Sequence, residues 1–173
     1  MYRPRPHFHF FDPQLRSRYR RDLLQAGLAA AVVLAILFAE EGVTHGVVVV
    51  AIASSAFTVF VIPHSVASEP RRVVGGHLVG VGIGMAVSAA LTAMAGPSVS
   101  ATDYRFILAG AGAGGLAVLA MAATDTEHPP AAGTAFGLVH QGVTGGFVLF
   151  ILSAAVTLAL VRALLLGRLR NLM

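Results

Sequence analysis

Five apolar segments, each about 20 residues long, occupy most of this chain. They cover residues 22–39, 43–62, 73–95, 104–123 and 143–166. An α-helix rises 1.5 Å per residue, so about 20 such residues cross the roughly 30 Å hydrocarbon core of a bilayer. The second segment contains a β-branched run, but a lone strand in lipid leaves its backbone groups unpaired. We therefore expect an all-α, polytopic transmembrane helix bundle.

The composition excludes a soluble domain. Charged residues make up only 12% of the 173 residues and hydrophobic residues 56%, whereas soluble domains carry about 25% charged residues. There is no cysteine, which excludes disulfides, thiol catalysis and iron–sulfur clusters. Because the linkers are short, we predict one transmembrane domain over 22–166, between a basic cytoplasmic arm (1–21) and a basic tail (167–173).

The arginines predict the orientation of the chain. Six of them precede the first segment, so we expect the N-terminus in the cytoplasm. The bias towards Ala, Gly, Val and Arg is typical of GC-rich bacterial genes, so we expect the inner, or plasma, membrane. Five crossings would put the arginines of the last segment and tail outside, whereas an even number would keep every cluster inside. We expect these arginines to bind lipid headgroups rather than nucleic acid.

A sixth apolar piece is too short to cross. Ala131–His140 would be about 15 Å long as a helix, and it follows His128-Pro129-Pro130. Proline suits the first turn of a helix, which has no use for its N–H. We predict a re-entrant half-helix whose N-terminal amides remain free to bind an anion. The amides expected there are those near Ala132, Gly133 and Thr134.

Polar residues interrupt the apolar pattern in two clusters. The first contains His64, Ser65, Arg71 and His77, and the second runs from Asp125 through His128 to His140. Each has a histidine beside a proline and a second histidine 12 or 13 positions later. We interpret this as a weak internal repeat, with a solute site where the two broken segments meet.

Plainer roles for these residues stay open. The alternative role of His128 is to fix a turn by a hydrogen bond to a neighbouring carbonyl. The alternative role of Arg71 and Arg72 is to anchor the chain at the cytoplasmic face. The histidines have no HxxxH or HExxH spacing, so we expect neither a metal nor another cofactor. No carboxylate pair lies within a segment and no nucleotide-binding loop is present, so we do not expect an enzyme.

Small residues recur at every fourth position of the third segment. They are Gly76, Gly80, Gly84, Ser88 and Thr92. The fourth segment repeats the pattern at Gly110 and Gly114. Small residues at this spacing let helix backbones approach closely in lipid. We expect these two helices to pack on each other or on another copy of the chain in a homo-oligomer.

The polar clusters resemble those of the HPP family of small integral membrane proteins. The resemblance covers about residues 22–166, and its motifs are Pro63-His64-Ser65, Pro70-Arg71, Gly75-Gly76-His77 and His128-Pro129-Pro130 followed by Ala131–Ala135. The family usually has Ala-Gln-Pro-Arg-Asn in the first block, whereas Glu69 and Arg72 replace its amides here. Members are four-span proteins, and some from plastids and cyanobacteria are implicated in nitrite transport.

The residues and the resemblance together predict a transporter or channel for a small anion, with nitrite the leading candidate. The alternative is a non-transporting assembly or regulatory subunit that docks through its glycine-rich helices. The predicted binding residues are His128, Pro129, Pro130, Ala132, Gly133, Thr134, His64, Ser65, Arg71, His77 and His140.

Overall fold

The computed structural model describes residues 15–39, 46–96 and 104–172. Within these ranges the chain forms six α-helices and one short 3-10 turn, and it contains no strand. The helices are α1 (Leu15–Ala39), α2 (Gly46–Val61), α3 (Pro70–Ala95), α4 (Tyr104–Thr124), α5 (Pro129–Gln141) and α6 (Gly145–Leu165). The predicted all-α helical bundle is confirmed, and each of the five long segments and the short sixth one is a helix.

Four of the helices are long and apolar enough to cross a membrane. These stretches are Tyr19–Phe38, Pro70–Ala95, Tyr104–Thr124 and Gly145–Leu165. Helix α2 has 16 residues and is about 24 Å long, and the start of the second predicted segment, at 43–45, lies outside the described residues. The chain is therefore a multi-pass membrane protein.

Two helix boundaries differ from the prediction. Helix α1 begins at Leu15, so the last residues of the predicted arm are helical, and residues 1–14 of that arm lie outside the described residues. Helix α5 begins at Pro129 rather than Ala131, because a proline at the first helical position has its fixed φ angle already set for a helix. The 13 residues of α5 span about 20 Å.

The arginines at 20–21, 71–72 and 162–170 lie at one end of the bundle. The side-chain amide of Gln25, in α1, donates to two backbone carbonyls. One is that of Phe60, at the end of α2, and the other is that of Arg170, in the tail. The Leu172 amide donates to the Val61 carbonyl at 2.8 Å. The first turn of α3 lies at the same end, because only the short α2–α3 turn separates it from the end of α2. An even number of crossings produces this arrangement. Five crossings would instead have placed the arginines of the last segment and the tail on the opposite side from those of α1.

Helix α5 lies inside the bundle and packs against α2, α3 and α4. The small-residue face of α3 supports it. A Cβ atom added at Gly80 would overlap the Ala131 carbonyl, and one added at Gly84 would lie 2.9 Å from the Ala135 carbonyl oxygen. Gly110 of α4 also faces α5, at His140. The prediction that α3 and α4 pack on each other is confirmed, and at Gly80, Gly84 and Gly110 the nearest neighbours belong to α5, which the sequence did not indicate.

Ion pairs hold the α4–α5 turn against the first turn of α3. The Arg72 guanidinium pairs with the carboxylates of Asp125 and Glu127, and it lies 3.9 Å from that of Glu69. Arg71 pairs with Asp125 at 3.2 Å. Only 14% of the Arg72 side chain is exposed, against 67% for Arg71. Arg72 therefore fixes the turn that leads into the His-Pro-Pro motif.

We expect Arg72→Gln to lower the free energy of unfolding by about 1 kcal/mol, and Arg71→Gln by less than about 0.5 kcal/mol, because exposed ion pairs contribute little. Unfolding of both variants in detergent micelles measures the difference. Equal losses would show that Arg72 has no special role in holding the turn.

Candidate functional site

Four polar side chains meet at the centre of the described bundle. Ser55 comes from α2, His77 from α3, His128 from the residue before α5, and Thr134 from the second turn of α5. All four have 0% relative exposure. Because intramembrane polar groups are costly to bury and usually functional, we call this set the buried polar network and treat it as the candidate site.

Hydrogen bonds connect the network in a row. Thr134 Oγ1 lies 2.8 Å from His77 Nδ1, and His77 Nε2 lies 2.8 Å from Ser55 Oγ. Ser55 Oγ lies 2.9 Å from His128 Nε2, and His128 Nδ1 lies 2.8 Å from the carbonyl oxygen of Ala67. The network therefore ties α2, α3, α5 and the α2–α3 turn to one another.

The close approach of α3 makes this arrangement possible. Gly76 lies beside His128 and precedes His77, and a Cβ atom there would be 2.7 Å from the His128 Cβ atom. The two imidazole rings have centroids 5.2 Å apart. Two charged rings at that separation would repel each other by about 3 kcal/mol at an effective dielectric constant near 20. The pair thus disfavours a state in which both rings are charged.

His128 lies outside the four helices that are long enough to span. Burial lowers the pKa of its imidazole below the ordinary value, and the hydrogen bond to the Ala67 carbonyl acts in the opposite direction. The neutral ring is therefore the resting form at neutral pH, and the ring gains a proton only in more acidic conditions.

The start of α5 offers fewer free amides than the sequence predicts. Pro129 and Pro130 have no N–H, and the Ala131 amide donates to the His128 carbonyl at 2.9 Å. In a regular helix the next three amides donate to carbonyls four residues earlier. Gly133 does not face an open space either, since a Cβ atom there would lie 3.5 Å from the Ala51 Cβ atom. The side chains of the network, rather than backbone amides, are the donors at this site.

Of the predicted binding residues, the structure brings His77, His128 and Thr134 together and places others elsewhere. His64 is exposed at the basic end, where its Nε2 atom lies 3.0 Å from the Leu169 carbonyl oxygen. Ser65 lies in the α2–α3 turn beside Ser68, and Arg71 pairs with Asp125.

His140 lies near the far end of α5, away from the network. Its ring stacks on Phe136 with centroids 4.0 Å apart and contacts Phe106 at 4.6 Å. Its Nδ1 atom has no hydrogen-bond partner among the described residues. The two halves of the predicted internal repeat therefore hold their histidines in different surroundings.

Ser55 is the one member of the buried polar network that the sequence does not identify. It lies within the second apolar segment, next to Ser54 and far from either polar cluster. The available signal was a hydroxyl in the middle of an apolar segment, which is weak because serine often bonds to its own helix. Ser55 does so here, with its Oγ atom 3.0 Å from the Ala51 carbonyl oxygen.

The donor set of the network is unlike a metal centre. Within the described ranges no three His, Asp or Glu residues lie close enough to share a metal ion. The network offers two imidazoles and two hydroxyls without a carboxylate. Such groups bind or exchange protons and donate hydrogen bonds to an oxyanion.

The comparisons with known proteins agree with the membrane architecture. A family model described as the transmembrane region of HPP proteins matches residues 16–172, which include every helix from the second residue of α1 onward. The comparisons with curated proteins and with solved structures give no match. The family match covers both polar clusters and the buried network. The chain therefore belongs to the HPP family of integral membrane proteins.

Proposed function

We propose that this protein transports a small inorganic anion across the membrane, with nitrite as the first candidate. The observation that carries the proposal is the buried polar network, which places four hydrogen-bonding side chains inside an apolar bundle. Folding alone does not require such a cluster, because apolar residues of the same size would pack without the cost of burying polar groups.

The chemistry of the network favours an anion over a cation. Both imidazoles and both hydroxyls can donate hydrogen bonds, and no carboxylate is available to hold a metal cation or ammonium. A protonated His128 would add a positive charge. In this proposal the anion binds near His128 and Thr134, and the proton moves with it.

The docking-subunit alternative is less well supported. It needs the glycine-rich faces of α3 and α4 to be free for a partner, whereas Gly76, Gly80 and Gly84 of α3 and Gly110 of α4 lie against the α5 region. A second copy of the chain would therefore pack on other surfaces. We infer that a homo-oligomer forms through the lipid-facing sides of the bundle and that anionic lipid binds at the basic end. There, Arg21, Arg168 and Arg170 border a cavity of about 400 Å³.

Nitrite uptake by proteoliposomes tests the proposal. We expect the wild-type protein to take up labelled nitrite faster than empty liposomes, and excess unlabelled nitrite to compete. Nitrate, formate and chloride then define the selectivity. No flux of any of the four anions above empty liposomes would refute the transport function and favour the docking subunit.

Thr134→Val provides a second readout because valine keeps the shape of threonine but removes its hydroxyl. We expect its nitrite flux to fall about tenfold, because the hydrogen bond from Thr134 to His77 Nδ1 is lost, a loss worth roughly 1.4 kcal/mol. Thr92→Val is the matched control, since the Thr92 hydroxyl donates only to Ser88 of its own helix. Equal flux in both variants would remove Thr134 from the site.

A further inference from the structure

We infer that Ser55, His77 and His128 form a site for a single proton, which binds to His128 while the Ser55 hydroxyl turns from His128 to the Ala51 carbonyl. This inference rests on the proposed transport function, since the bound proton is the one that accompanies the anion. It follows from counting the hydrogen atoms available to the network.

The neutral network has one arrangement that satisfies the four contacts of the row, and it leaves the Ser55–Ala51 contact without a hydrogen. The Ala67 carbonyl can only accept, so His128 Nδ1 carries hydrogen and, in a neutral ring, Nε2 must accept. The acceptor at Nε2 requires Ser55 to donate its only hydrogen to His128. His77 must then donate from Nε2 to Ser55 and accept at Nδ1 from Thr134. Every hydrogen in the row points towards Ala67.

The network can bind one further proton while all four hydrogen bonds of the row are kept. When His128 Nε2 gains a hydrogen, it donates to Ser55 Oγ, which no longer needs to donate to His128. The Ser55 hydrogen then turns to the Ala51 carbonyl oxygen, which is already 3.0 Å from Ser55 Oγ. Ser55 thus accepts from both imidazoles and donates to its own helix, and all the hydrogens remain paired.

His77 is the poorer place for that proton. A charged His77 would donate from Nδ1 to Thr134, so the Thr134 hydroxyl hydrogen would lose its acceptor. Thr134 Oγ1 has no second hydrogen-bond partner in the part of the chain that the structure describes. A second proton is also disfavoured, because both rings would be charged with their centroids 5.2 Å apart.

Other charged groups near the site lie on the elements that surround it. Helix α2 has no charged residue over Gly46–Val61. The only charged residue of α4 is Arg105, and the only one of α6 is Arg162. The groups at the first turn of α3 and in the α4–α5 turn are Glu69, Arg71, Arg72, Asp125 and Glu127, which pair with one another. Arg162 lies at the same end, where its Nε donates to the Pro63 carbonyl, so three guanidiniums stand with three carboxylates and leave no net charge there.

Nitrogen NMR of ¹⁵N-histidine-labelled protein in lipid nanodiscs tests this inference without any anion. His77→Asn and His128→Asn variants assign the two rings. At neutral pH we expect the hydrogen of His128 on Nδ1 and that of His77 on Nε2. As the pH falls, we expect His128 to become charged while His77 stays neutral. The opposite tautomer on either ring, or charging of His77 first, would overturn the single-proton site.

Ser55→Ala tests the switching role of the hydroxyl. It removes the acceptor for the charged form of His128, so we expect the titration midpoint of His128 to fall by about one to two pH units. Ser153→Ala, whose hydroxyl donates to Phe150 of its own helix, should leave the midpoint unchanged. An unchanged midpoint in Ser55→Ala would overturn the role of Ser55. If that variant does not fold, the wild-type tautomers decide the question.

The two proposals fail separately. A His128 titration as described, together with no anion flux, would refute transport and leave the proton site intact. Nitrite flux by a protein whose His128 never becomes charged would overturn the proton site and leave transport intact.

Discussion

Gly80→Ala is expected to destabilise the folded protein by about 1–3 kcal/mol, the usual cost of overfilling a packed interior. The added methyl group would overlap the Ala131 carbonyl of α5. A backbone atom cannot move aside as a flexible side chain can, so α3 and α5 must separate. Unfolding in mixed micelles measures the loss.

Gly82→Ala is the matched control for this change. It lies two residues along the same helix, and a Cβ atom there would meet nothing within 4 Å. Alanine is the better helix former by about 1 kcal/mol, so we expect unchanged or slightly higher stability. If the two variants lose the same stability, the close contact between α3 and α5 does not hold the bundle together.

The second large effect is expected for His128→Ala. This change removes the ring that links Ser55 to Ala67 and, in our proposal, the positive charge that accompanies the anion. Hydrogen bonds to charged groups contribute about 1.5–3 kcal/mol, so we expect nitrite flux to fall by about tenfold to a hundredfold. Circular dichroism and gel filtration would show that the variant is folded.

His64→Ala separates this role from a general effect of removing histidine. The sequence places both histidines beside prolines, but His64 is exposed and contacts the tail through the Leu169 carbonyl. We expect His64→Ala to keep nitrite flux within about twofold of wild type, a change worth only ~0.4 kcal/mol. A larger loss in His64→Ala than in His128→Ala would move the binding site to the basic end.

The sequence predicts the helices well because their signal is local. Segment length and apolar content are properties of neighbouring residues, and they identify the four long helices as well as the shorter α2 and α5. The boundaries are less well determined. Pro129 and Pro130 form the first turn, as the sequence predicts for proline, so α5 begins two residues before the apolar piece, and α1 extends back to Leu15.

The candidate site is only partly predictable, because its contacts join residues far apart in the chain. His77, His128 and Thr134 are identified as polar groups in unusual places. Ser55 is missed, since nothing local indicates that a helix-bonded hydroxyl meets His128, 73 residues away. The first turn of α3 shows the same limit. Arg71 is predicted to be a binding residue for the anion, but it already pairs with Asp125.

The position of the anion is the central claim, and solid-state NMR can measure it directly. ¹⁵N-nitrite would be added to liposomes containing protein with ¹³C-labelled histidine rings, and dipolar coupling between the two would report their proximity. We predict coupling to the His128 ring that is lost in His128→Ala and retained in His64→Ala. Coupling to His64 alone, or none at all in a protein that transports nitrite, would contradict a binding site at the buried polar network.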